Sequence, residues 1–408
     1  MLSPYTVLDL TGGRGDLASM LLGDMGANVI KIEPPGGSAG RREPPFMEGG
    51  LEPERSLNFF AFNRNKQGIT LDLESEAGRT ALRALVKEAD FLFESGQPKK
   101  LDSIGLGFDE LKNINPKIIH VAISPYGWDG PHSDYAASDL TIAAMGGPMS
   151  VQGVRERAPL RISVPQVWLH TGAEAATAAL TAHALMIQTG EAQFVDVSAQ
   201  TAMIATMLSA TSAHAIQGTD YQRAGALLQL GQASIPLVFQ CADGYAVIAP
   251  TGPTLAVIVH WFVEEGLVPE SWISGEDWPT YHFRLLQGQP ISYPLDEVLE
   301  AVTKLAIRYT KSQLLERGLA EGVSLAPVNS VGDLAGFKQL EERGYWLTAP
   351  LPNGQEVQVP GLVVRMTETP MSVRSWAPTL DEHNNDVLGS VLGMSKEEIS
   401  LASGVDAG

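Results

Sequence analysis

The strongest constraint on the fold is a regular alternation of short apolar runs with helical patterns in the first 125 residues. Residues 6–10 form an apolar run, residues 17–25 a helical pattern ending at Gly26, and residues 28–33 a second run that stops at Pro34 and Pro35. The pattern continues with predicted strands at 69–73, 90–93 and 117–124 and helices at 76–88 and 108–112. This alternation predicts an α/β fold, with a mostly parallel sheet and helices on both faces.

The loop after the first strand, Gly12-Gly13-Arg14-Gly15-Asp16, superficially resembles a dinucleotide-binding turn. It lacks the GxGxxG spacing, and Asp16 would face a phosphate. We therefore expect no dinucleotide site in this loop.

A second, smaller α+β domain is predicted after the two Ala-rich helices at 171–188 and 198–217, which flank a strand at 193–197. The first sign of this domain is a hairpin of strands 236–240 and 244–248 around Asp243-Gly244. The predicted organisation is a large domain at 1–200 and 379–408, a linker at 201–231, a small domain at 232–330 and a return linker at 331–378.

Charge and composition exclude several functions. The chain has 28 Lys and Arg against 47 Asp and Glu, a net charge of −19, which disfavours nucleic acid and anionic membranes as partners. The single cysteine, Cys241, cannot form an internal disulfide or a thiolate zinc site, and no metal is expected. Residues 197–219 carry no Asp, Glu, Lys or Arg, but their polar content favours a helix packed within protein over a membrane span. The N-terminus shows no secretory signal, so a cytoplasmic location is expected.

Several motifs together resemble family III CoA-transferases of the formyl-CoA transferase and carnitine CoA-transferase type. They extend along almost the whole chain and comprise Val7-Leu8-Asp9-Leu10-Thr11, residues 21–34, residues 63–73, Asn115-Pro116, residues 126–131, residues 190–198, Asp243-Gly244-Tyr245, residues 326–329 and Glu382-His383. The resemblance implies a Rossmann-like large domain, a small α+β domain and a dimer of interlocked rings. It also implies that a CoA thioester is the substrate and that no further cofactor is needed.

In active members of this family, an Asp carboxylate attacks the acyl-CoA and passes through a mixed anhydride to an aspartyl-CoA thioester. The family Asp falls three residues before Thr171-Gly172, which is Trp168 in this chain. An indole carbon is no nucleophile toward acyl groups, so the resemblance assigns this chain no catalytic residue at that position.

The positions that hold CoA in the family are also altered. The resemblance places Glu74 where a cation contacts the phosphates, and it marks further lost contacts at Ser95, Gly96, Ser103 and Tyr135. Arg41, Arg42 and Leu71 remain as remnants of the CoA site. Losing the nucleophile and several phosphate contacts together suggests that CoA is not held here.

Each of these residues also has a structural interpretation. Trp168 either fills the vacated site as a core residue or stacks on a substrate. Asp139 either caps the helix that follows it or replaces the nucleophile. Glu174 either occupies a first helical turn, where the helix dipole favours it, or replaces the nucleophile. Arg41 and Arg42 are either solvated or bind an anion. His170 and His383 are expected to be structural.

Racemases of the same family need a His and an Asp to move the α-proton. Their positions are Ser138 and Trp168 here, so racemisation is less expected than transfer.

Three hypotheses follow. In the first, which we favour, the chain is the non-catalytic subunit of a heteromeric transferase, and a paralogous catalytic subunit supplies the Asp and binds most of the CoA. The family precedent is a two-subunit enzyme of anaerobic toluene breakdown that moves CoA between succinyl-CoA and (R)-benzylsuccinate. Alternatively, it is a homodimeric transferase with a relocated carboxylate, or a stand-alone acyl-CoA-binding regulatory protein.

Overall fold

A computed structural model describes residues 1–47, 53–230, 233–351 and 354–404. The chain divides into two compact units. The large unit comprises Met1–Ser150, Leu160–Tyr221 and Tyr345–Gly408, and the small unit comprises Val151–Pro159 and Gln222–Gly344. Residues 231 and 232, where the predicted linker meets the predicted small domain, lie outside the described residues, as do residues 405–408 of the predicted large domain.

The secondary structure of the described residues is as follows. The strands are β1 Thr6–Leu10, β2 Asn28–Glu33, β3 Lys66–Thr70, β4 Phe91–Ser95, β5 Ile119–Ser124, β6 Gln193–Ser198, β7 Leu227–Leu230, β8 Ala233–Pro236, β9 Val238–Cys241, β10 Gly244–Ile248, β11 Leu325–Pro327, β12 Trp346–Pro350 and β13 Glu356–Pro360. The α-helices are α1 Asp16–Asp24, α2 Leu57–Phe62, α3 Glu76–Val86, α4 Lys100–Ser103, α5 Phe108–Ile114, α6 Asp139–Met145, α7 Pro148–Val151, α8 Val167–Thr189, α9 Ala199–Ala205, α10 Leu208–Gln217, α11 Gly252–Glu264, α12 Ser271–Gly275, α13 Tyr281–Leu286, α14 Leu295–Ala306, α15 Lys311–Glu321, α16 Val331–Ala335, α17 Lys338–Glu342 and α18 Lys396–Ser403. Short 3-10 helices lie at Ala39–Arg42, Pro53–Arg55 and Trp278–Thr280, and a π-helix at Asn385–Val391.

The large unit is built on a six-stranded parallel sheet with the order β3-β2-β1-β4-β5-β6. This is the strand order of doubly wound Rossmann-like folds, and it confirms the predicted α/β class. The order reverses between β1 and β4, so the loops that follow these strands diverge and leave a crevice at their carboxyl ends.

Both faces of the sheet are buried. Alternate residues point to opposite faces, so Leu8 and Leu92 belong to one core cluster while Val7 and Phe91 belong to another. Residues of α3, α5 and α18 complete the first cluster, and residues of α1 and α8 complete the second. Two covered faces explain why the strands are near-continuous apolar runs.

The apolar run predicted as the third strand is displaced in the structure. The strand was expected at 69–73, whereas β3 spans Lys66–Thr70. The N–H of Leu71 makes the last bond to the sheet, with the Glu33 carbonyl of β2. The N–H of Asp72 bonds the Ala402 carbonyl of α18, so the chain has left the sheet at this residue. The cause of the error is Lys66, a charged residue that is buried inside the strand.

The helix predicted at 198–217 is divided into α9 and α10. The N–H of Thr206 bonds the Met203 carbonyl at 3.2 Å, and that of Met207 bonds the Ile204 carbonyl at 2.8 Å. These are bonds between residues three apart, which tighten and end the first helix. Among the described residues, no helix is long and apolar enough to cross a membrane.

The small unit contains the predicted hairpin. β9 and β10 pair antiparallel, with Gly244 opposite Cys241, and β11 adds a third strand to the sheet. Cys241 is a buried free cysteine on β9, in agreement with its expected structural role. The core of this unit is formed by buried aromatic and aliphatic side chains such as Trp261, Phe262 and Val302.

The C-terminal part of the chain returns to the large unit. Residues 331–378, predicted as a return linker, contain α16, α17 and the β12–β13 hairpin. Beyond the hairpin, Arg374 donates to the carbonyls of Gly23, Gly26 and Ala27, and Trp376 stacks on Phe60 with ring centroids 5.7 Å apart. These bonds fix the returning segment against the first helix and strands of the sheet.

Candidate active site

A cavity of about 270 Å³ lies at the carboxyl ends of β1, β2 and β4, where ligands bind in doubly wound folds. Its walls combine apolar and acidic side chains: Leu10, Ile32, Leu71, Leu73, Leu101, Ile104, Glu33, Asp72, Glu74 and Glu94, with Thr11, Ser38, Ser95, Gln97 and Lys100 among the other lining residues. Four carboxylates and one ammonium group are among the lining residues, and carboxylates near a polyphosphate disfavour its binding.

Two of these carboxylates are paired within the protein. Glu33 accepts hydrogen bonds from Arg41; although burial raises the pKa of Glu33, these bonds outweigh it and lower the pKa. Glu94 is 2.8 Å from Nε2 of the fully buried His120. Besides these two, the charged lining residues are Asp72, Glu74 and Lys100.

The structure brings together three of the residues that the resemblance assigned to CoA. Leu71, Glu74 and Ser95 all line this cavity, and the Ser95 hydroxyl accepts a hydrogen bond from the Gly12 N–H at 3.1 Å. Gly96 and Tyr135 line a separate cavity of about 290 Å³. Ser103 lies in α4, where its exposed hydroxyl donates to the Lys100 carbonyl.

Arg41 is committed to the protein interior. Its side chain is fully buried, with 0% exposure, and stacks over the Phe59 ring at 3.9 Å. Its nitrogens donate to Glu33, to Glu54 at 2.9 Å and to the Pro378 carbonyl at 3.0 Å. The interpretation of Arg41 as a solvated side chain is therefore wrong, because its guanidinium lies in a buried ion-pair cluster.

Arg42 is exposed, and it bonds its own loop. Its Nη2 donates to the Gly36 carbonyl at 2.7 Å, and its Nη1 donates to the Gly37 carbonyl at 3.2 Å. These bonds hold the turn that follows β2.

Trp168 is the second residue of α8, and it is half-buried. Its ring packs between a core cluster under the sheet and a smaller cluster around Ile142 and Met203. The Arg14 guanidinium lies 5.2 Å from the centre of the indole, within the range of a cation–π contact. The position that the resemblance assigns to the family nucleophile thus holds an aromatic ring with a cation beside it.

Close packing of α8 on α1 positions this tryptophan. A Cβ atom added to Gly172 would lie 3.0 Å from the Leu17 Cβ, so glycine permits the approach of the two helices. The helix begins at Val167 and not at residue 171 as expected.

Asp139 holds the start of α8. Its Oδ2 accepts hydrogen bonds from the backbone N–H of Gln166 at 2.9 Å and of Val167 at 2.8 Å. The helix that directly follows, α6, is capped by Ser138, whose hydroxyl accepts from the Thr141 N–H at 3.2 Å. The expectation that Asp139 caps the following helix was therefore wrong about the helix: the carboxylate binds the N-terminus of α8, which lies further along the chain.

The other candidates are separated from the site. Glu174 is exposed and lies beyond the first turn of α8, so its expected first-turn position was wrong because the helix begins earlier. His170 is exposed. His383 accepts a hydrogen bond on Nδ1 from the Gly68 N–H at 3.2 Å, which gives it a structural role beside β3.

A buried charge cluster beneath the loop after β1 was missed at the level of sequence. Lys31 and Lys66 are fully buried, and they contact Asp16 at 2.6 Å and Asp9 at 2.8 Å respectively. Asp16 therefore faces an ammonium group rather than the outside of the loop. The signal in the sequence was the presence of Lys31 and Lys66 within apolar strands, because a lysine buried in a sheet needs a charged or polar partner.

This cluster shifts the pKa values of its members. Burial alone raises the pKa of Asp9, but the Lys31 and Lys66 ammonium groups outweigh it and hold that pKa far below the usual range. Burial lowers the pKa of Lys31, yet Asp16 and Asp9 raise it overall. The charges of Asp9 and Lys31 are thus stabilised, whereas at Lys66 burial outweighs the neighbouring carboxylates and lowers the pKa.

Comparison with known proteins assigns the fold and the class. A model of CoA-transferase family III matches residues 2–384. Subunit BbsE of succinyl-CoA:(R)-benzylsuccinate CoA-transferase from Thauera aromatica is 30% identical, over 95% of this chain and 93% of that protein. The beta subunit of succinyl-CoA–L-malate CoA-transferase from Chloroflexus aurantiacus is 28% identical, over 93% and 91% respectively. A CAIB/BAIF family protein from Brucella suis matches with a TM-score of 0.80 at 26% identity, over 95% and 98%. The chain therefore belongs to family III of the CoA-transferases, which confirms the resemblance of its motifs.

Enzymes of this family act on CoA thioesters. In the part of the chain that the structure describes, no group of three or more His, Cys, Asp or Glu residues is arranged to hold a metal ion.

Proposed function

We propose that this chain is the non-catalytic subunit of a heteromeric family III CoA-transferase. The observation that carries the proposal is Trp168 in the first turn of α8, with the candidate carboxylate Asp139 engaged by two backbone N–H groups of the adjoining residues. Covalent transfer needs a free carboxylate at this point, so the nucleophile is supplied by a paralogous partner subunit.

The electrostatics of the cavity at the carboxyl ends of β1, β2 and β4 support the same proposal. Glu74 lines the cavity at a position where the resemblance implies a cation. The guanidinium of Arg41 donates its hydrogen bonds to Glu33, Glu54 and the Pro378 carbonyl within the protein. A CoA phosphate group placed there meets carboxylates and few free donors. The CoA thioester is accordingly bound mainly in the partner subunit.

The names of two relatives agree with a heteromeric assembly, because each describes a subunit of an enzyme that uses succinyl-CoA. By analogy, the proposed reaction moves CoA between succinyl-CoA and an organic acid such as (R)-benzylsuccinate, in the cytoplasm. The proposed assembly is an interlocked heterodimer or a larger complex, to which this chain contributes scaffold and interface.

The test is to purify the complex from its source, incubate it with acyl-CoA, reduce with borohydride and locate the trapped carboxyl group by peptide mass spectrometry. The expected adduct lies on the partner subunit, with none on this chain. An adduct on a peptide containing Asp139 or Glu174 would instead establish the homodimeric alternative with a relocated carboxylate.

A stand-alone acyl-CoA-binding protein remains the third hypothesis, and it requires CoA affinity in this chain. Calorimetry with CoA and the purified chain distinguishes this hypothesis from the proposed function. Binding at micromolar CoA would contradict our proposal that this chain has lost its CoA site.

A further inference from the structure

The second cavity, of about 290 Å³, lies beside Trp168 and has a different character from the acidic one. Its lining consists of Arg14, Gly96, Gln97, Pro98, Pro125, Ser133, Asp134, Tyr135, Ala136 and Ala137. Within the described residues, Arg14 is the lining residue with a positive charge. The proline, alanine and tyrosine side chains provide an apolar wall next to it.

The Arg14 guanidinium is held without a direct ion pair among the described residues, although its charge acts on the Glu43 carboxylate and opposes the rise in pKa that burial causes there. Its Nη2 donates to the Ala137 carbonyl at 3.0 Å, and the Trp168 ring supports it at 5.2 Å. Within the described chain, no carboxylate lies within 4.0 Å of it, the distance of an ion pair. By contrast, Arg41 and Arg64 each bond a buried carboxylate in at least two places.

This arrangement suits a single carboxylate. A guanidinium with unused N–H groups presents a planar fork that matches two carboxylate oxygens. One cation, with Asp134 on the same wall, favours a monoanionic head over a polyphosphate. Tyr135 is 56% exposed and packs edge-on to His132 at 4.6 Å, so it offers an aromatic surface to the rest of a ligand.

We infer that this cavity binds a free organic acid, with the carboxylate on Arg14 and an apolar body against Tyr135. The inference rests on the proposed function, because it assigns a ligand to a site from which CoA chemistry has been lost. The indole of Trp168 has a structural role in this account, because it supports the Arg14 guanidinium. An Asp at position 168 would instead pair with Arg14 and neutralise its charge.

The test measures binding of phenylacetate to the full chain by calorimetry, with neutral phenylacetamide and inorganic phosphate as comparison ligands. We expect phenylacetate to bind, phenylacetamide and phosphate to bind at least about tenfold more weakly, and Arg14→Gln to weaken phenylacetate by about tenfold or more. Arg14→Lys should recover part of this loss, since it keeps the charge without the fork. Arg83→Gln, on the surface of α3, is the matched control and should leave binding unchanged.

Equal binding of phenylacetate by the wild type and Arg14→Gln, equal affinity for phenylacetamide, or no binding to the folded wild type would overturn the inference. Thermal unfolding of each variant shows that it is folded. Adding CoA separates the two proposals: if phenylacetate binds through Arg14 and CoA also binds, the carboxylate site stands and the proposed loss of CoA binding fails.

Discussion

At the scale of single residues, Trp168 and Asp139 act together at the start of α8. The carboxylate binds the first N–H groups of the helix, and the indole packs between two apolar clusters. A helix N-terminus favours a negative charge, so Asp139 gains from this position without touching a substrate. In the proposed function, Trp168 therefore contributes packing at the position where the resemblance implies a nucleophile.

Replacing Asp139 with alanine should destabilise the protein without removing a nucleophile. Loss of the cap on α8 should lower the free energy of unfolding by about 1–2 kcal/mol, measured by urea denaturation. Glu174→Gln, on an exposed face of the same helix, should change it by less than about 0.5 kcal/mol. Equal effects of the two substitutions would contradict the assigned role of Asp139.

Restoring the family carboxylate by Trp168→Asp should not restore transfer. The indole is lost from two clusters, which should cost about 1–3 kcal/mol of stability. In the proposed account, Glu74 still disfavours the CoA phosphates, so we expect mass spectrometry to find no trapped thioester at position 168. Formation of that thioester would show that the nucleotide site is intact. Trp168→Phe is the matched control for packing.

At the scale of elements, the sheet was largely predictable and the site was only partly so. Apolar runs gave β1, β2, β5 and β6 within two residues, because strands buried on both faces need continuous apolar sequence. β3 was displaced because Lys66 is buried inside it, and a charge in a strand can be recognised as buried only once Asp9 and Asn63 are found opposite. The cap on α8 by Asp139 joins residues 27 and 28 positions apart, a separation that local patterns do not encode.

The buried charge cluster beneath the loop after β1 should make the free energy of unfolding depend on pH in the acidic range. The pKa of Asp9 is lower in the folded protein than its ordinary value of 3.8, so its ion pairs stabilise the fold above that value. This contribution declines as pH falls below 3.8 toward the lower folded pKa. Urea denaturation between pH 6 and pH 3 should show this decline, and Asp9→Asn should be less stable at pH 6 with a shallower dependence. Glu110→Gln, an exposed control, should keep the wild-type slope; an unchanged slope in Asp9→Asn would contradict the account.

At the scale of the whole molecule, the chain keeps the architecture of its family, and we propose that its catalytic and CoA sites have changed. The six-stranded sheet and its covering helices match an experimentally solved relative over 95% of the chain. Arg41 and Arg64 donate to the carbonyls of Pro378 and Pro360 in the returning C-terminal part of the chain. Arg374, which lies in that part, donates to the Ala27 carbonyl, so all three cations serve the fold. In the proposed assembly, this chain supplies shape and the partner supplies the reacting carboxylate.

The central claim is that transfer uses the partner's carboxylate and no group at Trp168. The most direct measurement is the transferase rate of the reconstituted complex with one substitution in each subunit. We expect Trp168→Phe in this chain to leave kcat within about twofold of the wild type, and Asp→Asn at the corresponding position of the partner to abolish turnover. Full activity of the complex after loss of the partner's Asp would contradict the account.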